Sequence, residues 1–120
     1  MILDIGCEEN KKGDVGIDFR KLKSVDIVAD AEFLPIRTES IDHLFSSHVI
    51  EHFSHKRSRF ILKEWIRTVK EEGIVEIECP DLRARALLFF INPNFKNIKN
   101  IYGEQDYAGN YHKVVFLMGF

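Results

Sequence analysis

A chain of 120 residues with 45% hydrophobic residues, 30% charged residues and three prolines has the makeup of one globular domain and is too short for two. Its 17 Lys and Arg against 19 Asp and Glu leave a net charge of −2, which excludes a polybasic binder of nucleic acid or membrane held by phosphate neutralisation. The longest wholly apolar run, Ala86 to Ile91, is far below the ~20 residues of a membrane-spanning helix.

In chain order, Ile2 to Ile5 reads as a strand ending at Gly6, and its start carries no basic stretch of a secretory leader. Val15 to Asp18 is a second strand, after the turn signal Lys11-Lys12-Gly13-Asp14. Val25 to Ala29 is a third, closed by Asp30, and Ile41 to Ser47 a fourth. Between His55 and Lys70, Ile61, Leu62, Trp65, Ile66 and Val69 recur at helical spacing, with Ser54 as cap and Gly73 as the stop. Ile74 to Cys79 is a fifth strand halted by Pro80. Its alternation of Val75, Ile77 and Cys79 with Glu76 and Glu78 predicts an edge or half-covered strand. Asp81 caps a second helix to about Ile91, where Pro93 forbids continuation. Residues 92–113 read as a long lid-like loop, and Val114 to Met118, within an apolar tail 114–120, as a last short strand.

Strands leading into helices predict one α/β domain over residues 1–120, with its core in 1–91 and a mainly parallel sheet. The two cysteines, Cys7 and Cys79, make no disulfide framework, so a reduced cytoplasmic protein is expected.

Five motifs follow in order: Leu3-Asp4-Ile5-Gly6-Cys7, Gly16-Ile17-Asp18, Asp30-Ala31-Glu32-Phe33-Leu34-Pro35, Ser47-His48-Val49-Ile50-Glu51-His52 and Cys79-Pro80-Asp81-Leu82. The series resembles a class I S-adenosylmethionine-dependent methyltransferase, of the small methyltransferase-11-like branch with a His-Val-Leu-Glu-His signature. The resemblance spans residues 2–91 and continues more weakly through Tyr102-Gly103-Glu104-Gln105 and Tyr111-His112-Lys113. It implies a Rossmann-like sheet in the order 3-2-1-4-5, with the fold's last two strands missing or replaced and both ends of the domain shortened.

The resemblance also implies a cofactor, S-adenosylmethionine, and no metal. Gly6 and Cys7 would hold its methionine part on a loop set by Asp4. Asp18 would accept the ribose hydroxyls, as the acid of dinucleotide folds does. Asp30 would meet the adenine amino group, with Ala31 and Phe33 beside the ring. His48 would line the pocket, and Glu51 and His52 would stand near the substrate mouth.

Methyl transfer from a sulfonium is an in-line displacement, in which the enzyme aligns the nucleophile and excludes water. If the acceptor must lose a proton, His48, Glu51, His52 or His112 can take it, and nothing in the sequence chooses among them. The acceptor is unidentified, and a small molecule or saccharide is expected.

Two other readings stand beside this one. Glu8 replaces the second glycine of the usual Gly-x-Gly and faces the cofactor's carboxylate with like charge. Residues 6–14 are also too few for the usual crossover helix. Both departures fit a non-catalytic remnant that binds a ligand or partner. His48-x-x-Glu51-His52 is also a zinc-hydrolase signature, although it follows a strand rather than lying in a helix. A half-polar fifth strand at an open edge, or the tail 114–120, is the expected seam of a homodimer.

Overall fold

Leu3, Asp4 and Ile5 are all buried, so β1 (Ile2–Ile5) is enclosed on both faces, as a central parallel strand is. The computed structural model describes residues 1–103 and 112. Among these, β1 is flanked by β2 (Val15–Asp18) and β4 (Ile41–Ser47), with β3 (Ile27–Val28) and β5 (Val69–Glu78) outermost. All four pairings are parallel, as the pattern of strands and helices predicts, and the order is β3-β2-β1-β4-β5, as the resemblance implies.

β1 and β2 are parallel although residues 6–14 contain no helix. Leu3 lies opposite Val15, so the chain returns by only about 7 Å, two residues of strand rise, before β2 begins. Side chains hold the connector in place. Asp14 Oδ2 accepts from Ile2 N at 2.8 Å, and Asp4 Oδ2 accepts from Lys12 N at 2.6 Å. Lys12 Nζ then stands 4.7 Å above the Phe45 ring, so a lysine stem roofs part of the sheet.

β3 is shorter than the predicted Val25–Ala29. Val25 N closes a turn onto Leu22 O, and Asp26 turns its carboxylate back to Gly16 N at 2.8 Å and Lys11 Nζ at 2.8 Å. Lys11 in turn holds the Asp26 carboxyl below its ordinary range.

α1 (His55–Thr68) starts where expected, with Ser54 Oγ accepting from Arg57 N at 3.3 Å. Its buried stripe is Ser58, Ile61, Trp65 and Thr68, of which Ile61 and Trp65 join Leu3, Ile5, Leu34 and Leu44 in the hydrophobic core. Ile66, assigned to that stripe from spacing, is 59% exposed. It lies about 100° round the helix from Trp65, and the polar Thr68 takes the inner place instead. Thr68 Oγ1 donates to Trp65 O at 2.7 Å, and the chain passes straight into β5.

Gly73 is therefore not the helix stop. It lies inside β5, at a bulge where the ladder jumps from Ile41–Val69 to His43–Ile74. A Cβ there would come within 2.4 Å of Val69 Cγ1 and 2.8 Å of Asp42 O, so the glycine admits a close approach of two backbones. Among the described residues β5 pairs only with β4, in keeping with the predicted edge.

α2 (Leu82–Ile91) is capped by Asp81, whose Oδ1 accepts from Arg83 N at 3.1 Å, and none of its residues is buried. The predicted lid is in part a helix, α3 (Phe95–Tyr102), capped by Asn94. Asn97 Nδ2 donates to Asn92 O at 2.8 Å and to Leu88 O at 3.3 Å, which fastens α3 to the end of α2. Residues 104–111 of that lid, its last residue 113, and the tail 114–120 with its predicted strand lie outside the described residues. No helix among the described residues is long and apolar enough to cross a membrane.

Candidate functional site

The carboxyl ends of β1, β2 and β4 open into one cavity of about 760 Å³, of a size that holds small-molecule ligands. A parallel sheet places its ligand crevice at this end of the strands. Asp4, Gly6, Cys7, Asp18, Asp30, Ala31 and His48 all line the cavity, together with His52 and His112. Seven of the eight residues predicted from sequence to bind the cofactor are thus gathered in one place. Phe33 is not among the lining residues and is 68% exposed, so the structure does not place it beside a ligand ring.

The loop after β1 is shaped by its neighbours. Gly6 has φ +73, and a Cβ on it would stand 2.2 Å from Val49 Cγ2. The space beside Gly6 is filled by the loop after β4, so this glycine first serves packing between two cavity walls. Asp4 is buried beneath the loop, and burial raises its pKa above the ordinary carboxyl value. Cys7 is buried too, and desolvation pushes its thiol up to about 11.

Asp18 ends β2 in a dense set of donors. Its Oδ2 accepts from Glu8 N at 3.2 Å, and its Oδ1 accepts from Arg20 N at 2.9 Å and Arg20 Nε at 3.2 Å. Arg20 Nη2 also holds Glu8 Oε1 at 3.0 Å. The negative charge expected to oppose a cofactor carboxylate is thereby turned aside and paired. Arg20 had no role in the sequence reading. A cation two residues after a strand-ending acid is the signal that marks it, because an Asx-type turn brings i+2 back to the carboxylate.

Asp30 Oδ1 accepts from Glu32 N at 2.8 Å, which fixes the turn that carries Ala31. The carbonyl of Ala31 accepts from Trp65 Nε1 at 2.9 Å. Farther along, Glu64 Oε1 accepts from Leu34 N at 3.1 Å, and Arg67 Nη2 donates to Ile36 O at 2.9 Å. Helix α1 thus clamps the whole segment after β3.

The signature after β4 departs most from expectation. His48 has φ +56, and residues 50–52 form a 3-10 turn, so the helix a zinc-hydrolase signature requires is not formed. Glu51 is not at the mouth but fully buried, and neither carboxylate oxygen accepts a well-formed hydrogen bond among the described residues. His48 Nδ1 lies 3.3 Å from Glu51 Oε1, and the carboxylate raises the His48 pKa. His112 Nε2 faces the same oxygen at 3.9 Å, and its ring meets that of His52 edge-on at 5.2 Å.

Five parallel strands in this order, with a ligand cavity across the ends of β1, β2 and β4, define a Rossmann-like domain of the class I methyltransferase kind. A family model described as a methyltransferase domain matches residues 3–77, more than half of the chain, and the chain belongs to that family. No curated protein matches it. Among solved structures it is similar to a SAM dependent methyltransferase from Archaeoglobus fulgidus, with a TM-score of 0.60 and 21% identity. The match covers 77% of this chain and 51% of that one, so the chain spans about half the length of its structural relative.

Proposed function

We propose that the cavity binds S-adenosylmethionine and that the domain passes its methyl group to a small-molecule or saccharide acceptor. The observation that carries this reading is the convergence of Asp4, Gly6, Cys7, Asp18, Asp30, Ala31 and His48 on one cavity of ligand size. The Gly6–Cys7 loop would hold the methionine part, Asp18 the ribose hydroxyls, and the Asp30–Ala31 turn the adenine. When bound, the cofactor supplies an electrophilic methyl group on a sulfonium. The chain's own work is to fix that group and exclude water. His48 would hold a proton on Nδ1 against Glu51 Oε1, 3.3 Å away. The two free cysteines agree with a reducing cytoplasm. The open edge of β5, or the tail 114–120, is the surface for a second copy. Sedimentation at high concentration tests that seam, and a 14 kDa monomer alone rejects it.

A specific observation favours a second reading, a binding module without catalysis. Both oxygens of Asp18 are already engaged by Glu8 N and Arg20, which leaves them little capacity for ribose. Calorimetric titration with S-adenosylmethionine and with its demethylated product separates the two readings. Micromolar binding, about −8 kcal/mol, that Asp18→Ala weakens supports cofactor use. Arg20→Ala, with folding checked by circular dichroism, asks whether the guanidinium competes for that carboxylate. No binding to a folded wild type makes the second reading the better one.

A further inference from the structure

We infer that Glu51, His52 and His112 form a binding site for one divalent transition-metal ion of the zinc type, with its open position facing the cavity. One ligand atom from each residue comes within 4.8 Å of the other two. Two ligands each about 2.1 Å from one ion stand at most about 4.2 Å apart, so the set closes on an ion by side-chain shifts under about 1 Å. Two imidazoles and one carboxylate are the donors of catalytic zinc and related sites that keep a position free for a further ligand.

Two observations beyond the clustering point the same way. Glu51 is completely buried, yet neither of its oxygens accepts a well-formed hydrogen bond among the described residues. A carboxylate in that position is costly unless a cation compensates it. His112 supplies the second. Its Nδ1 lies 2.7 Å from Ile101 O, and a carbonyl only accepts, so the proton is on Nδ1. In the neutral ring the lone pair is then on Nε2, which faces Glu51 Oε1 at 3.9 Å. Two acceptors face each other across a gap that a cation fills. A backbone carbonyl fixing the far nitrogen is also how metal-bound histidines are oriented. His48, 3.3 Å from the same oxygen, is the competing source of positive charge.

The chemical role of the ion rests on the methyl-transfer reading, although its binding does not. Held by Glu51, His52 and His112, the ion would make an acceptor hydroxyl on its open position more acidic than in water. That hydroxyl would give its proton to solvent and its oxygen would bond to the methyl carbon, while the carbon–sulfur bond broke with its electron pair kept on sulfur as the neutral thioether.

The test uses the whole chain, stripped with chelator and titrated with Zn²⁺ or Co²⁺ alone. One ion per chain is expected, with Co²⁺ giving the visible bands of a nitrogen and oxygen site and no thiolate charge-transfer band. His52→Ala and His112→Ala should each weaken Zn²⁺ at least about tenfold, and Cys79→Ser should leave it unchanged. Far less than one equivalent, a thiolate band, or affinity indifferent to both histidines overturns the site. If either variant fails to fold, the Co²⁺ spectrum of the wild type decides alone. Titration of the same preparations with the demethylated product keeps the two readings apart. Metal without nucleoside binding rejects methyl transfer only, and nucleoside without metal binding rejects the ion only.

Discussion

Trp65 Nε1 donates to the carbonyl of Ala31 at 2.9 Å, so the largest side chain of the core also holds a wall of the cavity. Packing and binding are joined at that bond. Trp65→Phe removes the donor, orphans the carbonyl and leaves a void, and should destabilise the domain by about 2–3 kcal/mol. Urea unfolding should show a lower midpoint at unchanged slope. Nucleoside affinity should fall as well, because the Asp30–Ala31 turn loses its anchor. A variant that binds as tightly as wild type would show that the turn is held by Asp30 and Glu32 alone.

Gly6 carries two constraints that a pair of substitutions can separate. Gly6→Ala meets both a left-handed backbone, φ +73, and the Val49 methyl at 2.2 Å. Together these should cost about 3 kcal/mol, as strain plus overpacking. Adding Val49→Ala should recover the overlap and leave the backbone strain of about 1 kcal/mol or more. A double-mutant cycle in denaturant measures the coupling, and additive losses would contradict the contact.

Glu64 links α1 to the segment after β3, and Arg67 holds its carboxyl below the ordinary value. A folded pKa below the unfolded one gives stability that is present above about pH 4.5 and lost as pH falls through the folded value. Glu64→Gln should therefore cost about 1 kcal/mol at pH 7, after discounting for its partial exposure. It should cost progressively less below pH 4.5. Thermal melts of both proteins from pH 7 to pH 3 should converge at the acid end.

Cys7 should be chemically quiet in the folded protein. With its pKa up at about 11 against 9.0, its thiolate fraction at pH 8 is roughly a hundredfold below that of a free thiol. Cys79 is shifted the same way, by burial first and then by Glu51 and Asp81. A disulfide reagent at pH 8 should react slowly with native protein and rapidly with both thiols in denaturant. Fast reaction of the native protein would place Cys7 in an open or electropositive setting.

Most strands were legible from local signals, whereas their order and most of the cavity wall were legible only through the resemblance carried by the motif series. β1 and β2 announce themselves by short apolar stretches closed by Gly6 and Asp18, and such positions fall at the ligand edge of a parallel sheet. Gly73 was misread because a glycine after a helical stripe looks the same whether it stops a helix or relieves a bulge. Only the partner strand's Asp42 O decides which. Ile66 and Phe33 are apolar side chains left outside, an outcome that periodicity cannot exclude. Glu51 faces His112, about sixty residues farther on, and no spacing within His48 to His52 reveals that approach.

The amino-terminal strand occupies the centre of the sheet, and this sets a kinetic order. Ile2 pairs with His43, and every other ladder among the described residues is likewise parallel, so these strands offer no hairpin as a local nucleus. β1 pairs with β2 across a short connection, but it gains its other neighbour only when β4 closes a loop of about forty residues. During that delay Leu3 and Ile5 lack the burial they have in the finished fold. During synthesis β1 is made before β4 and meets it only after about forty further residues have followed. Association between nascent or refolding chains should therefore begin at the interior of the finished fold, not at its exposed edge.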